Sequence, residues 1–165
     1  MDFEEKIEER ELNPEHVFIA SLIAGFNELG LSNQAIVNRA SKRVGKYLAM
    51  LAEVKNPPRI DKNEDLELQH RKIIETLNST SPISSDVKLE KMDDNFVVKI
   101  RSSKCKFCPK GVGEAELTEG TICPFPGIVE EFVNYFSEKK VELTRDQYRA
   151  LQKENDWCII KYKEI

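Results

Sequence analysis

A chain of 165 residues with 40% hydrophobic content is long enough to close one domain around a core, burying roughly 70% of the surface that the unfolded chain exposes. Its 25 basic and 29 acidic residues leave a net charge of -4, which argues against a general nucleic-acid binder. No run reaches the roughly 18 apolar residues needed to cross a bilayer, and Met1-Asp2-Phe3-Glu4-Glu5 lacks the basic and apolar parts of a secretory leader, so a cytoplasmic protein with no membrane span is expected.

Asn13-Pro14 reads as an N-cap followed by proline at the first helical position, opening a helix that runs to about Leu29 and stops at Gly30. Val17, Phe18, Leu22, Ile23, Phe26 and Leu29 give it an apolar face. Ser32 is expected to cap a second helix that continues to about Val54, with Ala35, Ile36, Ala40, Val44, Tyr47, Leu48 and Leu51 as its buried stripe. The small residues Ala40, Ser41 and Gly45 permit a close helix neighbour there. A third helix is expected over Glu64 to Asn78, followed by the loop Ser79-Thr80-Ser81-Pro82.

The period then changes from 3.6 to 2, because Val87 to Met92 and Phe96 to Arg101 alternate around Asp93-Asp94-Asn95, which predicts a hairpin. Ile128, Val129, Phe132, Val133 and Phe136 return to helical spacing between Pro124 and Ser137. Lys140 to Leu143 and Cys158 to Tyr162 are short strand candidates. A single domain over 1–165 follows, mainly helical over 1–80 and carrying the sheet, the cysteines and one helix over 81–165. Its predicted class is α+β, with N-terminal helices packed on an antiparallel sheet.

The four cysteines carry the chemistry. Cys105-Lys106-Phe107-Cys108-Pro109-Lys110-Gly111 places two thiols two residues apart on a segment that Pro109 and Gly111 keep from continuing as a helix, the shape of a chelating knuckle. Cys123 precedes Pro124, and Cys158 lies on the terminal strand candidate. In a reducing cytoplasm such cysteines favour metal over disulfides, and zinc takes four ligands of this kind. The predicted metal ligands are Cys105, Cys108, Cys123 and Cys158, with a carboxylate from Glu114, Glu116 or Glu119 as the alternative fourth. Arg101, Lys104, Lys106 and Lys110 offset the charge of such a centre. A zinc site closed by four protein ligands is structural, because catalysis needs an open position; an iron-sulfur cluster is the lesser alternative, and buried free cysteines are the plain one.

Other signals point away from catalysis. His16 and His70 are expected at the surface or as caps. Lys110-Gly111-Val112-Gly113-Glu114 lacks the remaining elements of a phosphate loop, and Glu130-Glu131 reads as a solvated helix face. Phe18, Phe26, Phe132, Tyr135, Phe136 and Trp157 are assigned mostly to the core, which in this kind of fold can enclose a ligand.

Three stretches, Asn33 to Leu48, Cys123-Pro124-Phe125-Pro126-Gly127-Ile128-Val129-Glu130 and Asp156-Trp157-Cys158-Ile159-Ile160, resemble the 4-vinyl-reductase (hydrocarbon-binding) domain family. That family's superfamily also contains NO-signalling ligand-binding domains and a TRAPP transport subunit. The resemblance implies helices on an antiparallel sheet, a homodimer, a pocket for a small hydrophobic ligand, and a cysteine-bound zinc beside the pocket at Cys108, Cys123 and Cys158. The chain departs from the pattern over Thr144 to Tyr148, where many members carry a further cysteine. No flavin or nicotinamide motif is present. The reading that results is a non-enzymatic, zinc-stabilised module that binds or senses a small hydrophobic ligand and signals through a protein partner. The alternatives are an assembly subunit without ligand and a reductase-like redox protein.

Overall fold

In the computed structural model, which describes residues 3–92, 95–108, 122–145 and 149–165, helices fill the first half of the chain and a sheet most of the second. The elements are α1 (Phe3–Arg10), α2 (Pro14–Glu28), α3 (Gln34–Lys55), α4 (Leu66–Thr80), β1 (Val87–Met92), β2 (Asn95–Arg101), a 3-10 turn (Ser102–Lys104), α5 (Phe125–Phe136), β3 (Val141–Thr144), β4 (Gln152–Glu154) and β5 (Trp157–Glu164). The fold is α+β, with helices on one antiparallel sheet, as the change of period predicts. No helix among the described residues is long and apolar enough to cross a membrane.

Helix starts follow their caps. The Asn13 side chain accepts from the His16 amide at 2.9 Å, and the His16 ring accepts from the Asn13 amide at 3.0 Å, so His16 acts as the expected cap even though it is buried. Asn33, not Ser32, caps α3 by accepting from the Ile36 amide. Gly30 takes a positive φ of 67° just beyond α2, a conformation that glycine adopts without steric cost. Asp65 caps α4. α1 and β4 have no counterpart in the sequence reading.

The helix faces differ from expectation. On α3 the buried positions are Val37, Asn38, Ser41, Gly45, Ala49 and Ala52, whereas Ile36, Val44, Tyr47 and Leu51 of the expected buried stripe stand 42–56% exposed. On α2 the buried residues are His16, Ala20 and Ala24, and Phe18 and Phe26 face outward. The reason lies at the crossing of α3 and α5. A Cβ on Gly45 would lie 2.9 Å from Ile128 Cα and still nearer its carbonyl oxygen, and one on Gly127 would press on the Asn38 carbonyl. Glycine, alanine and serine let two backbones touch there, and the larger side chains turn away. Glu130 is 4% exposed and paired with Lys42, so it is a buried anion and not part of a solvated face.

The strand order is β1-β2-β5-β3, with β4 also on β5. The hairpin register sets Val87 opposite Ile100 and Met92 opposite Asn95; its expected turn at Asp93-Asp94 lies outside the described residues. β5 is central, placing Cys158 opposite Ile100 on β2 and opposite Lys153 on β4. Phe96, Val98 and Ile100 pack with Ile160 and Tyr162 against Ile73 and Leu77 of α4 and Val129 and Phe132 of α5. Each such side chain contributes about 1.5–3 kcal/mol by leaving water. Trp157, assigned to the core from sequence, lies on the other face, where the charged ends of Lys88 and Arg101 each sit 4.6 Å from the ring centroid.

His70 is likewise inside the core and not at the surface: it is 1% exposed, 4.8 Å from the Phe96 ring, with its Nε2 3.5 Å from the Ser137 hydroxyl. Burial first, then the charges of Lys91 and Lys139, lower its pKa to about 4. Glu67, Glu90 and Glu164 line the crevice outside the ring and do not reverse that direction. Because the folded value lies below the unfolded one, protons bind the unfolded chain more readily between about pH 6.5 and 4. Stability is therefore full above that window and falls by about 3 kcal/mol on acidification through it. Thermal midpoints measured against pH for wild type and His70→Phe check this: the variant should lose most of that slope.

Candidate ligand cavity and cysteine cluster

A cavity of about 550 Å³ opens between α2, α3, the N-terminal turn of α5 and the segment around Phe107. Its wall is almost wholly apolar: Ile19, Leu22, Ile23 and Phe26 from α2, Val37, Val44 and Leu48 from α3, and Phe125 and Ile128 from α5. The close α3–α5 seam draws those two helices together, and α2 stands off from both across the cavity. α2 has no extended backbone packing against any other described element. The volume lies within the range of small-molecule pockets, about 300–1,000 Å³.

Polar groups in the wall are few. The Ser41 hydroxyl donates to the Val37 carbonyl at 2.6 Å and is satisfied within its own helix. The Ser32 hydroxyl is buried and has no partner within the protein. It is the one fully buried hydroxyl in this wall without a partner among the described residues; Ser81, half-buried, also lines the wall. A second groove, about 370 Å³ between α4 and β1, mixes the charged Arg71, Glu75, Lys88 and Glu90 with Ile74, Val87 and Leu89.

The cysteine segment forms one side of the cavity. Cys105 makes an antiparallel bridge with Ser84, and the Lys106 amide donates to the Ile83 carbonyl at 2.8 Å, pinning the knuckle beside the end of α4. Phe107, between the paired cysteines, inserts into the wall against His16 (4.7 Å) and Phe125 (5.7 Å). Cys123 is held by a two-way clamp from the first turn of α3: its amide donates to Gln34 Oε1 at 2.8 Å, and Gln34 Nε2 donates to its carbonyl at 2.9 Å. Pro124 and Phe125, directly after it, also line the cavity.

All four cysteines are free thiols; Cys105 and Cys123 are buried, Cys108 and Cys158 half-buried. Burial pushes the Cys105 and Cys123 thiols far up, and neighbouring thiols raise them further, Cys108 and Cys158 acting on Cys105, and Cys105, Cys158 and Cys108 on Cys123. Burial also raises Cys158, with Lys153 opposing it. Arg10 of α1 is the cation that opposes the shift at Cys105, and its Nε and one terminal nitrogen are buried without a partner. The four thiols predicted as ligands thus share one electrostatic neighbourhood. They do not form a finished cage, since among the described residues no three His, Cys, Asp or Glu side chains converge in a metal-holding group. The donor chemistry, four sulfurs, suits zinc. Glu114, Glu116 and Glu119, together with Pro109, Lys110 and Gly111, lie outside the described residues.

The model of the MJ0207 family matches residues 30–164, from the turn before α3 through β5. The chain belongs to the MJ0207 family. Two relatives come from Methanocaldococcus jannaschii. MJ1342 is 30% identical over 121 residues, 72% of this chain and 95% of its own length; MJ0207 is 30% identical over 135 residues, 82% of this chain and 78% of its own length. The family stretch contains the four cysteines, the Gln34 clamp, the Gly45–Ile128 contact and three of the cavity walls. α1 and α2, with Arg10 and the outer wall, precede it.

Sequence reasoning identified the thiols and expected a pocket without placing it, and it missed the Gln34 clamp and Arg10. Gln34 and Arg10 stand in ordinary helical sequence, and nothing local marks their partners 89 and 95 positions away.

Proposed function

We propose that this protein is a non-enzymatic module that binds a small, largely apolar molecule between α2, α3 and α5. The observation that carries the reading is the 550 Å³ apolar cavity with a buried, unpartnered hydroxyl, Ser32, in its wall. Such a surface rewards an apolar body with one hydrogen-bonding atom. Burying 150–250 Å² of ligand surface contributes roughly 4–6 kcal/mol before the costs of association. The resemblance of Asn33 to Leu48 and of Cys123 to Glu130 to a hydrocarbon-binding family runs in the same direction, since both stretches supply cavity wall.

The cysteines belong to this reading as a brace. A divalent cation held by the four thiols would take the place of their protons, so metal binding would release protons and fix the knuckle, the start of α5 and β5 relative to one another. Zinc is the proposed ion, with Cys105, Cys108, Cys123 and Cys158 as ligands and Arg10 as a nearby counter-charge. Through Phe107 and Phe125 that brace would set the cavity wall.

Titration with the apolar dye 1-anilinonaphthalene-8-sulfonate, together with metal analysis of protein purified without added zinc, tests the proposal. Wild type should bind the dye saturably and carry about one zinc per chain. Ala40→Trp, which fills the cavity from an exposed helix position, should weaken the dye by about tenfold or more, about 1.4 kcal/mol. Dye binding that is absent or indifferent to Ala40→Trp removes the ligand reading and favours an assembly subunit. Metal far below one per chain with all thiols titrating freely removes the brace.

A further inference from the structure

We infer that Arg10, the last residue of α1, is a positioning residue of the cysteine centre, and that its two buried, unpartnered N–H groups are donors to a metal-bound thiolate at Cys105. The inference rests on the proposed metal reading and adds to it the group that answers the charge of the thiolates. Arg10 Nε and Nη1 are both buried, and neither has a hydrogen-bond partner within the protein. A guanidinium cannot shed its proton, so burial leaves a positive charge that needs an anion beside it.

Two lysines set that guanidinium against the knuckle. Lys104 Nζ donates to the Glu9 carbonyl at 3.1 Å, and Lys106 Nζ donates to the Glu11 carbonyl at 3.4 Å and to Glu11 Oε2 at 3.3 Å. The residues on either side of Cys105 thus grip the residues on either side of Arg10. α1 also packs on the 3-10 turn Ser102–Lys104 that leads into Cys105. The helix stops here because Glu11 takes a positive φ of 53°, and the Leu12 amide closes the turn on the Ile7 carbonyl at 3.0 Å. A left-handed glutamate is a strained way to end a helix, and Lys106 holds both its carbonyl and its carboxylate.

Charge connects this contact to the thiols. Cys105 is the thiol on which the Arg10 charge acts. As a neutral thiol it is a weak acceptor and supplies no counter-charge. Loading exchanges four thiol protons for one divalent ion; the protons leave to the buffer, and the centre passes from neutral to two net negative charges. Thiolate sulfur can then accept from both Arg10 donors, in hydrogen bonds strengthened by the charge on each side. Lys106, 11% exposed at its side chain, is already paired with Glu11 and does not supply this charge.

α1 lies outside residues 30–164, the stretch matched by the family model, so the Arg10 contact is carried by the part of this chain that precedes the matched region. By linkage, loading tightens α1 on the knuckle to the same extent that Arg10 tightens the metal.

Zinc competition against a chelator, together with thermal unfolding of the full chain in saturating zinc and in EDTA, tests it. Arg10→Met should raise the zinc dissociation constant by about tenfold to a hundredfold. Arg10→Lys, which keeps the charge without the planar fork, should fall between the two. Unfolding supplies a sign that plain packing of α1 does not produce. In zinc, Arg10→Met should melt below wild type; in EDTA it should melt at or above wild type, because a buried charge without an anion has been removed. Equal losses in both conditions, or a zinc affinity indifferent to Arg10→Met, overturn the role of Arg10 and leave the metal reading standing. Sulfate that raises the midpoint of wild type in EDTA but not that of Arg10→Met also overturns it, because the acceptor is then a free anion. Wild type that takes up no zinc overturns the metal reading and this inference together.

Discussion

Gly45→Val is expected to destabilise the fold by about 3 kcal/mol or more, the upper end of the cost of forcing atoms into a packed interior. The atoms that a new Cβ would meet, the Ile128 carbonyl oxygen, Cα and carbonyl carbon, all belong to backbone. No side-chain rotation can relieve that contact, so α3 and α5 must move apart. Their separation would loosen Val129 and Phe132, both fully buried in the core, and would carry Phe125 away from the cavity. Gly25→Ala on α2 is the control: nothing lies within 4 Å of its Cβ position, and removing a helix glycine there should stabilise by up to about 1 kcal/mol. Urea unfolding of the two variants beside wild type gives both numbers. Equal midpoints for Gly45→Val and wild type would mean that the helices do not cross at backbone contact.

Local features were legible in the sequence, and so was the fold class. Asn13-Pro14 and Gly30 mark the ends of α2 because capping and positive φ are properties of a few adjacent residues, and the hairpin register follows from alternation over β1 and β2. Helix faces were not legible. The stripe from Ile36 to Leu51 reads the same whether it enters the core of its own chain or remains uncovered, while the true seam of α3 is built from Gly45, Ala49 and Ala52, whose importance lies in being small. Buried polar residues were missed for a related reason. Glu130 is tolerated inside because Lys42 reaches it from another helix, and His70 because it stays neutral. β4, Gln152–Glu154, is entirely polar and exists as a strand because β5 offers it an edge. Spacing announced the cysteines; their shared neighbourhood depends on β5 lying beside β2, and the cavity is empty volume with no residue of its own.

Lys42→Met should cost about 3–5 kcal/mol, because it leaves a carboxylate inside the protein with no counter-charge. The Glu130 side chain is 6% exposed, its Oε1 is held by Lys42 Nζ, and its Oε2 has no partner within the protein. Glu130 Oε2 already lacks a donor with Lys42 in place, so removing the ammonium leaves both oxygens of the carboxylate unpaired. Lys42 is 37% exposed at its side chain, which lets its own removal go unpunished by cavity formation; the loss comes from Glu130. Lys42→Met combined with Glu130→Leu should recover most of the stability, since an apolar pair of similar volume replaces two desolvated charges. In thermal unfolding the single variant should melt about 10 °C or more below wild type, with the double variant close to it. A single variant that melts with wild type would show that water reaches Glu130 and that the α3–α5 seam is open at this level. That outcome would also predict a milder Gly45→Val, because both substitutions load the same helix contact.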